Sequence, residues 1–252
     1  MIDKLIHKIK RKWMKLRLQP IRVFCFHHVS EKYDAATMWE EDWTQTEALK
    51  QFVKELQSRG YVFISLLEAH ERLKHDRLRG KKYAVLTSDD GFKTLLNILP
   101  WLQEQQIPIT LFVNPKYIVE EGIGENVQER LDETKGIITN QDLYLQLSDV
   151  RKLESPLITF GYHGYEHLDE WKIDEATFVQ NLEQCIEVMK TQFPNVIPYY
   201  AHTYDHARVS NVEMLWRIGI TPIYTAGNKN YNDGNRIDRE LVSMSKMPIL
   251  LN

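Results

Sequence analysis

Two polar clusters stand where apolar segments end, and each has the makings of a reactive centre. Asp89-Asp90-Gly91 follows the apolar run Tyr83-Ala-Val-Leu-Thr87 by a single Ser. Asp is a poor strand former, and two charges at the end of a buried strand cost desolvation unless a cation compensates. Side chains alternate along a strand, so the two carboxylates point apart, one free to hold a cation while the other meets substrate. The bland alternative is an Asp-Asp-Gly turn, with Asp90 capping the helix that follows. The second cluster, His163-Gly164-Tyr165-Glu166-His167, follows Leu157-Ile-Thr-Phe160. Imidazoles four apart converge on one metal from a helix face or around a tight loop. With one carboxylate they make a three-donor set that leaves positions for water, as catalytic rather than structural sites do. The same residues fit His-x-x-Glu-His, the inverted zinc-protease pattern, which requires a helix with Glu166 as base. A strand directly before His163 and a glycine inside the would-be turn weigh against that helix.

The elements that must position these clusters alternate between strand and helix. Strands are expected at Ile21–Phe26, Tyr61–Ile64, Tyr83–Thr87, Ile109–Val113, Leu157–Phe160 and Val196–Tyr200, with helices at Thr46–Ser58, Leu66–Leu73, Thr94–Gln105, Asp174–Thr191 and about Asn211–Arg217. Residues 115–146 have no clear period, and Glu120–Glu133 reads as an acidic surface excursion. Such alternation implies a largely parallel sheet covered by helices, and without a GxGxxG it favours a (β/α) barrel of about seven parallel strands over a dinucleotide-binding fold. Function in a barrel sits where strands end. His27-His28, Asp89-Asp90, His163 and His202 all occupy such positions.

The chain has 252 residues, 32 Lys+Arg against 35 Asp+Glu, a length that one barrel domain accommodates. The near-neutral balance argues against nucleic acid as a partner. Two cysteines, Cys25 and Cys185, make no disulfide framework, and a reducing, cytoplasmic compartment is the easier reading. No run is long and apolar enough for a membrane span, and lysines interrupt any signal-like stretch at the N-terminus. Residues 1–20 are expected to form a basic amphipathic helix, with the domain proper over 21–252. Ile2, Leu5, Ile6, Ile9, Trp13 and Leu16 share one face of that helix among seven basic residues. Packing of this helix on the domain is the favoured reading. Peripheral contact of residues 1–18 with an anionic membrane surface is the other.

Taken together, the motifs resemble those of a known family. Thr87-Ser88-Asp89-Asp90-Gly91 is similar to the Thr-Phe-Asp-Asp-Gly motif of polysaccharide deacetylases with the NodB homology domain, carbohydrate esterase family 4. His163 through His167 is similar to their His-Ser/Thr-x-x-His metal motif. Phe26-His27-His28-Val29 resembles the Tyr-His-x-Val/Ile that opens many members, and Leu49 through Leu67 resembles the segment preceding their Asp-Asp-Gly. The resemblance spans roughly residues 21–225 and implies a distorted, NodB-like (β/α) barrel that hydrolyses N-acetyl groups on a carbohydrate. It implies Asp89 as general base, Asp90, His163 and His167 as metal ligands, and the Tyr204 backbone N–H as an oxyanion donor. Departures exist. Tyr200-Ala201-His202-Thr203-Tyr204-Asp205 lacks the Pro and Gly of the family's Arg-x-Pro-Tyr or Tyr-Pro-Tyr-Gly segment, and residues 237–252 lack the Leu-x-His that supplies the general acid. His202 or His206 is the candidate in its place, with His202 carried as the catalytic residue.

The reading is therefore a metal-dependent carbohydrate N-deacetylase acting on a carbon–nitrogen bond. One divalent ion would serve, zinc first, with cobalt, nickel or iron as the other options for an Asp-His-His set. The alternative is a carbohydrate-binding or scaffold protein that keeps barrel and metal but has lost turnover, since a fold does not guarantee chemistry. Trp39, Trp43, Trp101, Trp171 and Tyr165 are the aromatic rings nearest the predicted loops and are compatible with sugar stacking.

Overall fold

The computed structural model describes residues 21–75, 80–120, 139–224 and 237–251. Its strands, in chain order, are β1 (Ile21–Phe26), β2 (His28–Ser30), β3 (Trp43–Gln45), β4 (Tyr61–Phe63), β5 (Lys82–Ser88) and β6 (Ile109–Val113). They continue with β7 (Ile158–Tyr162), β8 (Val196–Ala201), β9 (Thr221–Tyr224), β10 (Ile237–Asp238) and β11 (Glu240–Leu241). The main sheet runs β10-β9-β8-β7-β6-β5-β1-β11, with β4 also on β5 and β2-β3 apart. Every pairing in it is parallel.

Arg239 alone separates β10 from β11, so one short run of chain pairs with β9 on one side and β1 on the other. The sheet is thereby nearly closed into a barrel, with helices outside. Eight strands lie on this path where about seven were expected, because the last two are two-residue strands too short to show a period.

Alternation along the strands divides the apolar side chains into two clusters. Ile21, Val23, Tyr83, Val85, Phe112, Ile197, Tyr199, Ala201, Ile223 and Ile237 form one, the barrel interior. Phe24, Phe26, Ala84, Leu86, Leu111, Val113, Phe160 and Tyr162 face outward into the other, beneath the helices. Phe112 fills the interior so closely that a Cβ on Gly161 would come within 2.3 Å of its ring.

Most of the helices cover that outer cluster, whereas Leu66 and Ala69, on the helix after β4, pack with the interior one. α1 (Thr46–Ser58) buries Leu49, Phe52, Val53 and Leu56 on one face. In α2 (Leu66–Lys74) the Ser65 side chain caps the N-terminus by accepting from the Glu68 N–H. The helix expected over 94–105 is broken at Ile98 into a 3₁₀ turn, Lys93–Asn97, and α3 (Leu99–Glu104). Pro100 is the reason: its missing N–H and ring are tolerated only in a first helical turn. α4 (Leu147–Lys152), α5 (Glu175–Gln192) and α6 (Val209–Arg217) complete the helical layer. No helix among the described residues is long and apolar enough to cross a membrane. The helix expected over 1–20 and most of the excursion at 120–133 lie outside the described residues.

Candidate active site

Strand register brings the first group together. Phe26 on β1 is paired with Ser88 on β5, and the Asp89 N–H donates to the Phe26 carbonyl at 3.3 Å, so the next residues, His27 and Asp89, emerge side by side. A ring nitrogen of His27, the Cys25 Sγ and a carboxylate oxygen of Asp89 all lie within 4.8 Å of one another. Behind Asp89 stands Arg239, brought there by the strand junction that closes the barrel. Its Nη1 and Nη2 donate to Asp89 Oδ1 and Oδ2, both at 2.6 Å. Both side chains are buried, 0% and 5% exposed. A two-pronged, charge-assisted contact of this kind fixes the carboxylate plane. Burial pushes the Asp89 carboxyl up, but Arg239 and then His163 outweigh it and hold the group below its ordinary value. On the far side, His27 Nδ1 lies 3.8 Å from Asp42 Oδ1. The Asp42 carboxyl is raised by burial, against the opposing pull of His27.

Asp90 turns the other way. β5 ends at Ser88, and Asp90 and Gly91 take left-handed backbone, φ 71° and 76°. It is this turn, beyond the alternation of a strand, that parts the two carboxylates. A side chain on Gly91 would meet Ile118 at 2.9 Å, so the turn demands glycine. Asp90 Oδ1 lies 3.4 Å from His163 Nε2 and 3.2 Å from His167 Nε2. Tetrahedral donors about 2.0–2.2 Å from a zinc-sized ion stand roughly 3.3–3.6 Å apart, so the three residues fit one divalent cation. The surroundings agree. His163 Nδ1 lies 2.8 Å from the Ala201 carbonyl, which fixes the tautomer that presents Nε2 as a ligand. Burial lowers the His163 imidazole, but Asp90 and Asp89 outweigh it and raise it, as expected where a nitrogen faces anions that attract a cation.

The segment from His163 to His167 is a loop and not a helix, which removes the inverted zinc-protease geometry. Gly164 has φ 76°, and an added Cβ would lie 2.7 Å from Asn181 Oδ1, the atom that accepts the Tyr165 N–H at 2.8 Å. Asn114, at the end of β6, donates to the His163 and Gly164 carbonyls at 2.5 and 3.0 Å. Glu166 is engaged with Lys116 at 2.7 Å.

Past β8 the chain forms a second strained turn. Tyr204 and Asp205 have φ 55° and 58°, and the Tyr204 ring meets His167 edge-on at 4.7 Å. Asp90, His167, Tyr204 and Asp205 are four of the six left-handed non-glycine residues described. Each such residue costs about 1–3 kcal/mol, and strain of this kind gathers at functional sites. His202 is buried and held within its own network. Its Nδ1 lies 2.7 Å from Glu170 Oε1, Asn211 donates to Glu170 Oε2 at 2.7 Å, and its ring stacks on Tyr224. His206 Nδ1 faces Asp169 Oδ1 at 2.7 Å. Asp89, Asp90, His163, His167 and the Tyr204 turn therefore gather at one barrel mouth. Sequence reasoning missed Arg239 and Asp42 and gave His27 no role.

A parallel barrel with a carboxylate–bis-imidazole cluster and a guanidinium-braced aspartate at the C-terminal ends of its strands belongs to the class of (β/α)-barrel proteins built around a candidate metal centre. The polysaccharide deacetylase family model matches residues 76–205, just over half of the sequence, and the chain belongs to that family. The matched stretch holds Asp89, Asp90, His163, His167, His202 and Tyr204, whereas His27, Asp42 and Arg239 lie outside it. No curated protein matches in sequence.

Solved structures share the fold. IcaB from Ammonifex degensii superposes with a TM-score of 0.73 at 18% identity, over 92% of this chain and 95% of that one. A de-N-acetylase from Aggregatibacter actinomycetemcomitans gives 0.74 at 15% over 92% and 99%. The Streptococcus pyogenes deacetylase PplD gives 0.71 at 16% over 92% and 96%.

Proposed function

We propose that this chain is a metal-dependent hydrolase that removes N-acetyl groups from a carbohydrate. The observation that carries the reading is the meeting of two unlike groups at one mouth: a three-donor cation site and, one residue away, a carboxylate held by Arg239 out of that site. A divalent ion held by Asp90, His163 and His167 would polarise the acetyl carbonyl and lower the pKa of water. Asp89 is the base that takes the water's proton, its plane fixed by Arg239. His27, beside Asp89 and backed by Asp42, delivers a proton to the departing amine. His202, committed to Glu170, holds the turn of Tyr204, whose backbone N–H is assigned to the developing oxyanion.

The structure of the deacetylase PplD carries acetate, the small product of such a reaction. The test is acetate release from an N-acetylated oligosaccharide by protein purified without a His-tag, with metal content measured on the same sample. Release that stops with a chelator and returns with zinc supports the reading. Saturable saccharide binding with no release under any of zinc, cobalt, nickel or iron(II) supports a scaffold and overturns it.

A further inference from the structure

The exposed apolar side chains divide between the two ends of the barrel. Of the nine large ones among the described residues, Tyr33, Trp171, Tyr204, Val209 and Met244 lie in segments that leave the C-terminal ends of strands, on the mouth side. Val62, Leu67, Trp216 and Ile218 stand at the opposite end, the floor, where strands begin and no candidate site lies among the described residues. Val62 on β4 is level with Tyr83, near the start of β5. α2 crosses the floor, since its Leu66, Ala69 and Leu73 pack on the barrel interior, and Leu67 is 41% exposed on its outer side. Trp216 is in the last turn of α6 and Ile218 just after it, both 52% exposed and shortly before β9. Single exposed apolar residues are ordinary, but four at one end with no chemistry to serve, an indole among them, mark a docking face. Lys81, Lys82 and Arg217 lie at the same end.

The chain also enters the barrel here. Ile21 opens β1 opposite Tyr83, which separates it from Val62, so the twenty preceding residues start from the floor about 10 Å from that exposed valine. Seven of the 32 basic residues and one of the 35 acidic ones fall within 1–18, which leaves 25 against 34 for the rest of the chain. A negative surface therefore attracts the floor end and repels the remainder, and this asymmetry sets an orientation. The domain itself is a poorer match for the segment. The acids at the floor ends of α1 and α2 are already engaged, Glu55 with Arg59, Glu68 with Arg72 and Glu71 with Lys74. Val62 and Leu67 are too few to cover Ile2, Leu5, Ile6, Ile9, Trp13 and Leu16.

We infer that the floor of the barrel docks on an anionic lipid bilayer, with residues 1–18 laid in its interface and Trp216 and Ile218 entering beside them. Binding of this kind grows with the apolar area buried and with each Lys or Arg brought near a negative lipid surface. An indole is well placed at such a boundary, its apolar body in the acyl region and its N–H among the headgroups. Strands of six residues then hold the mouth roughly 20 Å from the lipid, open to solution. The inference is independent of the reaction assigned to that mouth.

The experiment is co-flotation of the full chain with vesicles of phosphatidylcholine alone, or with about one third phosphatidylglycerol. It is repeated for a chain lacking residues 1–18, for the triple variant Lys8→Gln, Lys12→Gln, Lys15→Gln, and for the pair Trp216→Ser, Ile218→Ser. The full chain is expected to bind the anionic vesicles at least tenfold more tightly than the neutral ones and to leave them as salt rises. The triple variant should lose about a hundredfold in affinity, and the truncated chain should not float. The serine pair should lose about tenfold and keep the wild-type Tm, since both side chains are exposed. Equal binding to both kinds of vesicle, or a truncated chain that floats as well as the full one, overturns the inference. Flotation untouched by the serine pair confines contact to residues 1–18 and overturns the floor as a docking face. No flotation at all also overturns it: a Tm that falls on truncation then assigns the segment to its own domain, and self-association lost in the serine pair assigns the face to a second copy.

Discussion

Removing the guanidinium of Arg239 should unsettle the fold and the proposed base, Asp89, together, and a double-substitution cycle separates the two effects. Arg239 and Asp89 meet through two 2.6 Å bonds, with side chains 0% and 5% exposed. Breaking such a pair from one side leaves a buried charge unmatched, at a cost of about 3–5 kcal/mol. Arg239→Met and Asp89→Leu are each expected to lose that much. For a chain of this size, about 2–4 °C per kcal/mol gives a fall in Tm of roughly 6–20 °C. The double variant removes both charges and should recover most of the loss, since replacing a whole buried pair by apolar groups is often near neutral. Urea unfolding in excess chelator measures the cycle without the added stability that binding of the proposed metal would bring. Coupling of at least about 3 kcal/mol is expected. The double variant should also be stable yet inactive, because it lacks the proposed base. Single losses that simply add, or a loss near 1 kcal/mol for Arg239→Met, would refute the claim that this pair is a matched buried unit.

Asp89→Asn should retain stoichiometric metal and lower acetate release by about 10²–10⁴, the usual worth of a positioned base. Asp90→Asn should lose metal first and regain part of its activity in excess zinc, and the opposite pattern would reverse the two roles. Gly161→Ala drives a methyl to 2.3 Å from the Phe112 ring. It should cost about 1–3 kcal/mol in urea melts, with partial recovery when Phe112→Leu is added. Cys25 and Cys185 are fully buried. Burial pushes the Cys185 thiol up to about 12 and that of Cys25 well above its ordinary value. Raised thiols stay protonated at pH 8, so a disulfide reagent should find almost no reactive thiol in the native protein and two after unfolding in urea.

The parts legible in the sequence were those with a local signature. Leu49, Phe52, Val53 and Leu56 spelled out a helix face, and β1, β6 and α1 fell where periodicity put them. Asp89-Asp90-Gly91 and His163 through His167 announced themselves by carrying charge and imidazole directly after apolar strands. Arg239 had no such signature, because what makes it special is a partner 150 residues away. The available clue was physical: two carboxylates ending a buried strand require a cation, and Arg239, between Asp238 and Glu240 near the C-terminus, was one candidate. His27 was visible as a residue but silent as a role. Its meaning depends on the pairing of Phe26 with Ser88, which no spacing encodes. His202 was visible at its strand end, but the engagement of its Nδ1 by Glu170 from another loop was not legible in any local pattern.

The strand junction at Arg239 ties the readiness of the proposed base to the order of synthesis. Among the described strands, β10 and β11 are the last to leave the ribosome, and they supply both the missing edge partner of β1 and the charge that faces Asp89. Before they dock, the carboxylate on β5 has water instead of a guanidinium, and the ring of strands stays open between β9 and β1. A chain cut after Tyr224 is thus expected to lose cooperative unfolding and acetate release together, a pairing that chevron kinetics and a single activity assay can check. Completion of the barrel and bracing of Asp89 then fall in one step, because the same few residues supply both the strand pairing and the guanidinium.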